Sequence, residues 1–293
     1  MKCLVTGASG FVGSFVVDEL LRNGFDVVGT YRTAMSNCCG KSKCQIIQVD
    51  LTRGFNFPNN VDVIVHTAAQ TMTPNASVID YAKNNILTMK NVVDYAIQTK
   101  VKKIINFSSI SIYGTIQDPI VNENTKIMNP SAYGITKYLA ELILQEIGSM
   151  VPSLSLRLPG IVPKMSEELW LSKVCNKVYN NENIEIYNPN SQFNNAIYIR
   201  DLCKFIISLI NMDFVGADAI TLGCASPLTI NDVVQYIISN CDSTASISVN
   251  QEKKNSFLIS NDKATRKYGY VPAPLKDILE HLVNELTLNK KGV

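Results

Sequence analysis

Residues 4–24 read "LVTGASGFVGSFVVDELLRNG": an apolar run, three glycines at Gly7, Gly10 and Gly13, and then a helical pattern ending near Asn23. A strand before and a helix after are the setting in which a glycine triplet marks a nucleotide-binding turn. Each glycine has its own task. Gly7 permits the tight turn, Gly10 lets the backbone approach a pyrophosphate, and Gly13 lets the helix pack against the strand. Ser9, Phe11 and Val12 complete the turn, and the helix N-terminus faces the negative charge of the ligand.

Outward from this turn, short β-branched runs alternate with longer helical patterns as far as residue 160. Strands are expected at Lys2–Val5, Asp26–Thr30, Gln45–Val49, Val61–His66, Lys103–Phe107 and Leu154–Leu158, and helices at Gly13–Asn23, Val78–Thr99 and Ala132–Ser149. This order predicts an α/β fold, a doubly wound parallel sheet of the Rossmann type with a smaller, less regular C-terminal substrate lobe. The dinucleotide-binding domain is expected over 1–160 with a returning segment near 193–222. The lobe takes 161–192 and 223–293, ending in a helix over Leu275–Leu288.

Lys and Arg number 27 against 25 Asp and Glu, which gives no basic surface for nucleic acid. Apolar runs such as Phe205–Ile210 are too short to span a bilayer, and no signal pattern precedes Cys3, so a soluble cytoplasmic protein is expected. Eight cysteines spread through a chain of 293 residues fit reduced thiols better than a disulfide frame. Three of them cluster in "CCGKSKC" (38–44), but no fourth ligand stands nearby and both histidines, His66 and His281, lie elsewhere, so no metal site is assigned.

An acidic residue usually follows the second strand of an NAD site to hold the ribose hydroxyls. Here the region reads "VVGTYRT", and Arg32 suits a 2′-phosphate instead, so NADP(H) is favoured with NAD(H) as the alternative. Lys41 and Lys43 would add positive potential. Further on, Tyr133 and Lys137 in "SAYGITKYLAE" are four apart on one helix, so the ammonium would favour the phenolate and draw the phenol toward neutral pH. "KIINFSSISIYG" (103–114) ends a buried strand in hydroxyl groups, placing Ser108 and Ser109 at the carboxyl end of the sheet, where ligands bind.

Taken together, "TGASGFVG", "VDL" (49–51), "HTAA" (66–69), "NILTMKNVVDYA", "SSISIYG", "YGITK", "LRLPGIVP" (156–163), "AIYIRDLC" and "KYGYVPAPLKDILEHLV" resemble the extended short-chain dehydrogenase/reductase family, in its NAD-dependent epimerase/dehydratase group. The resemblance covers nearly the whole chain. It implies that Tyr133 is the catalytic acid and base, Lys137 its partner and Ser109 the catalytic hydroxyl. It also implies that Asp50 and Leu51 approach the adenine, Ala68 and Ala69 line the cofactor, Asn85 supports the strand ends, and Pro159 faces the nicotinamide. Ser109, Ser111, Gly160 and Asn194 are the implied substrate contacts. A homodimer through the helices 78–99 and 132–149 is a further implication.

The chain departs from the family pattern in several places. Dehydratases follow the hydroxyl with an acidic pair, whereas Ser109 is followed by Ile110 and Ser111, which disfavours elimination. "LRLPGIVP" lacks the frequent Asn, Asn194 and Asn195 replace an Arg-Asp pair, Tyr198 replaces a frequent His, and Arg200 replaces an acid. Three readings follow: an NADPH-dependent reductase of a keto group on a nucleotide-linked deoxysugar, preferred because of Arg32; a nucleotide-sugar epimerase; and a non-catalytic dinucleotide sensor. Tyr113, Tyr138 and Trp170 read as packing residues.

Overall fold

The computed structural model describes residues 1–33, 43–55, 60–73, 75–163 and 169–290. Strands β1 (Lys2–Thr6), β2 (Asp26–Tyr31), β3 (Cys44–Gln48), β4 (Val63–His66) and β5 (Lys103–Ser109) join Ser153–Leu158 and Ala217–Thr221 in one seven-stranded sheet. The spatial order is 217–221, 153–158, β5, β4, β1, β2, β3. β1 pairs in parallel with both β2 and β4, β2 with β3, and β4 with β5. The chain thus runs outward from β1 to β3 and then returns to the other side of β1. That reversal opens a crevice at the carboxyl ends of β1 and β4.

The inner strands are apolar on both faces, as a helix-covered parallel sheet requires: all four residues of β4 are buried. Helices α1 (Phe11–Arg22), α2 (Val78–Tyr81), α3 (Thr88–Thr99) and α4 (Ala132–Glu146) supply the cover. Leu4, Val28 and Ile64 from the sheet pack in one core with Met89 and Val92 of α3 and Leu144 of α4. α2 opens at a capping box between Ser77 and Asp80. A wide π-type stretch, Ala82–Leu87, joins α2 to α3, so the single helix expected over 78–99 is interrupted within its span.

The chain divides into two compact units, the first made of Met1–Thr115, Lys126–Arg157 and Leu202–Ile220, the second of Ile116–Thr125, Leu158–Asp201 and Thr221–Val293. Within the second, Ile184–Tyr187 pairs in parallel with Ile247–Asn250, and Gly160–Val162 with Ala196–Tyr198. Helices Trp170–Tyr179, Ile230–Asn240 and Leu275–Lys290 close its core around Val174, Ile237 and Leu279. Cys3, Cys175, Cys203, Cys224 and Cys241 are buried and Cys44 is half-buried, whereas Cys38, Cys39 and Lys41 lie outside the described residues. Among the described residues no helix is long and apolar enough to cross a membrane, and no group of three His, Cys, Asp or Glu could hold a metal ion.

The glycine turn is sterically tight. Gly7 has φ +70°, and a Cβ on Gly13 would lie 2.1 Å from the Gly7 carbonyl oxygen. The turn is stitched to its neighbours: Ala8 N–H donates to the Thr30 carbonyl at 2.8 Å, and Gly10 N–H to the Gly7 carbonyl at 2.9 Å. Beneath it, Thr6 Oγ1 and His66 Nδ1 are 2.8 Å apart, and Ala68 N–H donates to Thr6 Oγ1 at 3.2 Å. Burial, reinforced by the Lys137 charge, pushes His66 down to about 3.

Two outcomes follow. Gly13→Ala should lower stability by about 3 kcal/mol or prevent folding, because the clash is with backbone that cannot rotate away. Gly54→Ala, where a Cβ would meet nothing within 4 Å, should stay within about 0.5 kcal/mol in the same urea titration. The second concerns His66. Its folded value lies below the unfolded value of 6.5, so its contribution is complete above pH 6.5 and is lost as the pH falls toward 3. Unfolding free energy should drop by about 2 kcal/mol between pH 7 and pH 5, and His66→Gln should flatten that slope.

Candidate active site

β5 ends at Ser109, turns through a short 3₁₀ helix (Ile110–Tyr113), and the chain returns as α4. Successive side chains of a strand point to opposite faces, and this separates the two serines. Ser108 donates to Glu141 Oε1 at 2.5 Å. Ser109 instead accepts from the Ser111 N–H at 3.1 Å and donates to Ser111 Oγ at 3.1 Å, and its hydroxyl lies close enough to the Tyr133 phenol to act on it. Ser109, Ser111 and Tyr133 are therefore brought together, and Ser108 is not part of that group.

Tyr133 occupies the first turn of α4, which begins at Ser131, whose hydroxyl accepts from the Gly134 N–H at 3.2 Å. A Cβ on Gly134 would lie 2.2 Å from the Ser111 carbonyl oxygen, so the glycine lets α4 press on the turn that carries Ser109. Sequence reasoning passed over Gly134. Its signal was a glycine in the opening turn of an otherwise strong helix, where a packing reason is the usual explanation.

Lys137 is buried and donates to the Phe107 carbonyl at 2.7 Å, with its ammonium 5.8 Å from the centre of the Tyr133 ring. Burial lowers it to about 8, while Glu141 raises it. Burial likewise pushes the Tyr133 phenol up to about 12, opposed by the Ser109 hydroxyl, with Tyr81 adding a smaller upward push. The expected pull of Lys137 on the phenol is therefore not what sets it: desolvation of the half-buried phenol favours the neutral form.

The glycine turn leads into α1, whose N-cap, Gly10, has no side chain to cap the helix and whose first turn holds no acidic residue. The amides of Phe11, Val12 and Gly13 are first-turn donors without intrahelical acceptors. A cradle closed to any Cβ and an uncapped helix start fit a pyrophosphate. Ala68 lies against Gly7, since a Cβ there would meet its Cα at 2.9 Å; Ala69 follows it and Ser9 is half-buried in the turn. Asn85, in the π-type stretch, accepts from the Gln70 N–H at 2.7 Å and donates to Thr136 Oγ1 of α4 at 2.9 Å. It ties the loop after β4 to the helix that carries Tyr133.

Asp50 accepts from Thr52 N–H at 3.0 Å and Thr52 Oγ1 at 2.8 Å, and these bonds hold it below the usual carboxylate range. Leu51 is buried in the core, its carbonyl accepting from Asn91 Nδ2 at 2.9 Å. Arg32, on which the NADP(H) expectation rests, is exposed and donates to Asn84 Oδ1 at 2.8 Å.

In the second unit, Pro159 is half-buried, and Gly160 lines a cavity of roughly 210 Å³ with Trp170, Ser172, Phe193, Asn195 and Leu282. Trp170 stands 4.9 Å from Phe193, ring to ring. Asn194 is buried and its amide is committed to backbone: Nδ2 donates to the Cys224 and Ile259 carbonyls at 3.3 and 2.8 Å, and Oδ1 accepts from Ile259 N–H at 2.8 Å. Its neighbour Asn195 carries a buried Oδ1 with no hydrogen-bond partner among the described residues.

Comparison with known proteins matches this arrangement. A family model, the NAD dependent epimerase/dehydratase family, covers residues 3–223. A putative UDP-glucose 4-epimerase of Methanocaldococcus jannaschii is 26% identical over 250 residues, with 80% of each chain covered. An uncharacterized UDP-glucose epimerase of Bacillus subtilis, YtcB, is 26% identical over the whole of both chains. In fold, the UDP-glucuronic acid 4-epimerase from Bacillus cereus, solved in complex with NAD, superimposes with a TM-score of 0.84 at 22% identity, covering 100% of this chain and 99% of that one. With its glycine turn, its Ser109–Tyr133 pair and three quarters of its length under one family model, the chain belongs to the NAD-dependent epimerase/dehydratase family.

Proposed function

We propose that the protein is an NAD-dependent epimerase acting at the 4-position of a nucleotide-linked sugar. The observation that carries this reading is the Tyr133 phenol standing beside the Ser109 hydroxyl, with the buried Lys137 ammonium 5.8 Å from the centre of its ring. Relatives named as UDP-glucose epimerases favour it over the NADPH-dependent reductase that Arg32 brought forward. The Arg32 guanidinium is engaged by Asn84, and the B. cereus epimerase binds NAD, which together support NAD over NADP.

In this reading Gly7, Ser9, Gly10, Phe11, Val12 and Gly13 hold the pyrophosphate, Asp50 and Leu51 stand on the adenosine side, and Ala68, Ala69 and Asn85 form the floor. Bound NAD supplies a reversible hydride acceptor. Tyr133 takes the proton from the sugar hydroxyl and later returns it, while Ser109 donates a hydrogen bond to the same oxygen. Burial alone keeps Tyr133 protonated, so its base form needs positive charge at hand, which the Lys137 ammonium on the same helix would supply and to which a bound oxidised cofactor would add.

Incubation of the NAD-loaded protein with UDP-glucose should yield the 4-epimer, read by NMR of the sugar. Tyr133→Phe should cut turnover by roughly 10²–10⁴-fold while leaving NAD affinity within a few-fold. Net reduction of a keto sugar by NADPH without epimer formation would return the reductase to first place.

A homodimer is also part of this proposal. Val78 and Ile79 of α2 are 70% and 76% exposed, and Leu87, Ile135 and Leu139 add apolar surface on the same group of helices. Sedimentation should show a dimer that Ile79→Glu converts to monomer; a monomeric wild-type protein would refute the assignment.

A further inference from the structure

Behind the pair of catalytic groups lies a second charged cluster that the proposed chemistry does not use. Arg157, on the strand Ser153–Leu158, grips Glu141 with two nitrogens: Nη2 donates to Oε2 at 2.7 Å, and Nε to Oε1 at 3.1 Å. Its Nη1 donates to Tyr113 Oη at 2.8 Å. Glu141 also accepts from Ser108, the residue before Ser109. The carboxylate is 2% exposed and stands one helical turn beyond Lys137 on α4. A buried ion pair stabilises a fold little compared with apolar residues of the same volume, so its presence in this wall points to a different role.

We propose that Glu141, clamped by Arg157, is a positioning residue that keeps the buried Lys137 ammonium charged beside Tyr133. Through Ser108 it also fixes the end of β5 from which Ser109 projects. The inference rests on the assignment of Tyr133 and Lys137 given above and goes beyond it by naming what sustains the lysine. The groups facing Lys137 make the case. From β5 comes the Phe107 carbonyl, which accepts from the ammonium, and from β4 comes His66, whose buried ring is kept uncharged. From α4 come Tyr133, raised by burial, and Glu141, which carries the negative charge that opposes desolvation of the ammonium. Arg157 enters with the opposite sign through its grip on Glu141.

Glu141 raises Lys137 and the guanidinium that grips it carries the opposite charge, so removing the two charges should move Lys137 in opposite directions, whereas loss of packing alone would move it the same way in both. Lysines labelled with ¹³C at Cε, titrated by NMR, report this directly, with the Lys137 resonance assigned by its loss in Lys137→Met. In Glu141→Gln the midpoint of Lys137 should fall by about one pH unit from its value near 8, and in Arg157→Gln it should rise. Glu141→Asp, which keeps the charge, should recover most of the shift. The alkaline limb of epimerase activity should move with each midpoint.

Equal midpoints in wild type and all variants would overturn the proposal, and so would a rise in both Glu141→Gln and Arg157→Gln, the mark of water entering a loosened core. Should Glu141→Gln fail to fold, Arg157→Gln and Glu141→Asp carry the same signed test. Midpoints that shift as expected in a protein that epimerises no sugar would leave this inference standing and refute the proposed function alone.

Discussion

The Gly7 carbonyl and the Gly13 backbone approach so closely that a single methyl group cannot stand between them. From that contact the direction of α1 is fixed relative to β1, and the helix start is aimed across the carboxyl ends of the sheet. The same turn leans on Ala68 after β4 and on Thr30 in β2, so three strands are held in register at the end where chemistry is placed. Thr6 and His66 bind this end from below. The helix start carried by this turn offers backbone N–H groups that no side chain caps, the kind of donors an anion takes.

A second constraint is desolvation. Enclosing Tyr133 and Lys137 pushes the phenol up and the amine down, so burial drives both toward their uncharged forms. The protein opposes this with fixed groups: a carbonyl for the ammonium, a hydroxyl for the phenol, and a carboxylate one turn away. Protonation states in such a site are set by a few neighbours rather than by bulk solvent.

Much of the sheet was legible because its strands are buried on both faces and so appear as short apolar runs between turn signals. The six strands read from the sequence lie within two residues of those found, and α1 and α4 within three. The seventh strand, Ala217–Thr221, was missed because its first three residues are only partly buried and its pattern is weak. In the second unit, strands of two to four residues are too short to show a period. The family resemblance singled out Ser109, and strand alternation explains why it, and not Ser108, stands beside Tyr133. The burial of Glu141 and Arg157 could not be read from type and spacing, since a helix surface offers the same pattern. Arg32 shows the converse, a residue whose type pointed to a phosphate and whose side chain engages an asparagine.

The π-type stretch Ala82–Leu87 works as a phase adjuster. An α-helix advances about 100° per residue, so a wide turn that absorbs extra chain rotates everything before it relative to everything after. On one side of the stretch α3 is locked to the core by Met89 and Val92; on the other, α2 presents Tyr81 to Tyr133, ring edge to face at 6.2 Å, and turns Val78 and Ile79 outward. The angular setting of the apolar outer face and that of the aromatic wall beside the phenol are therefore one variable, controlled by the six residues of this stretch.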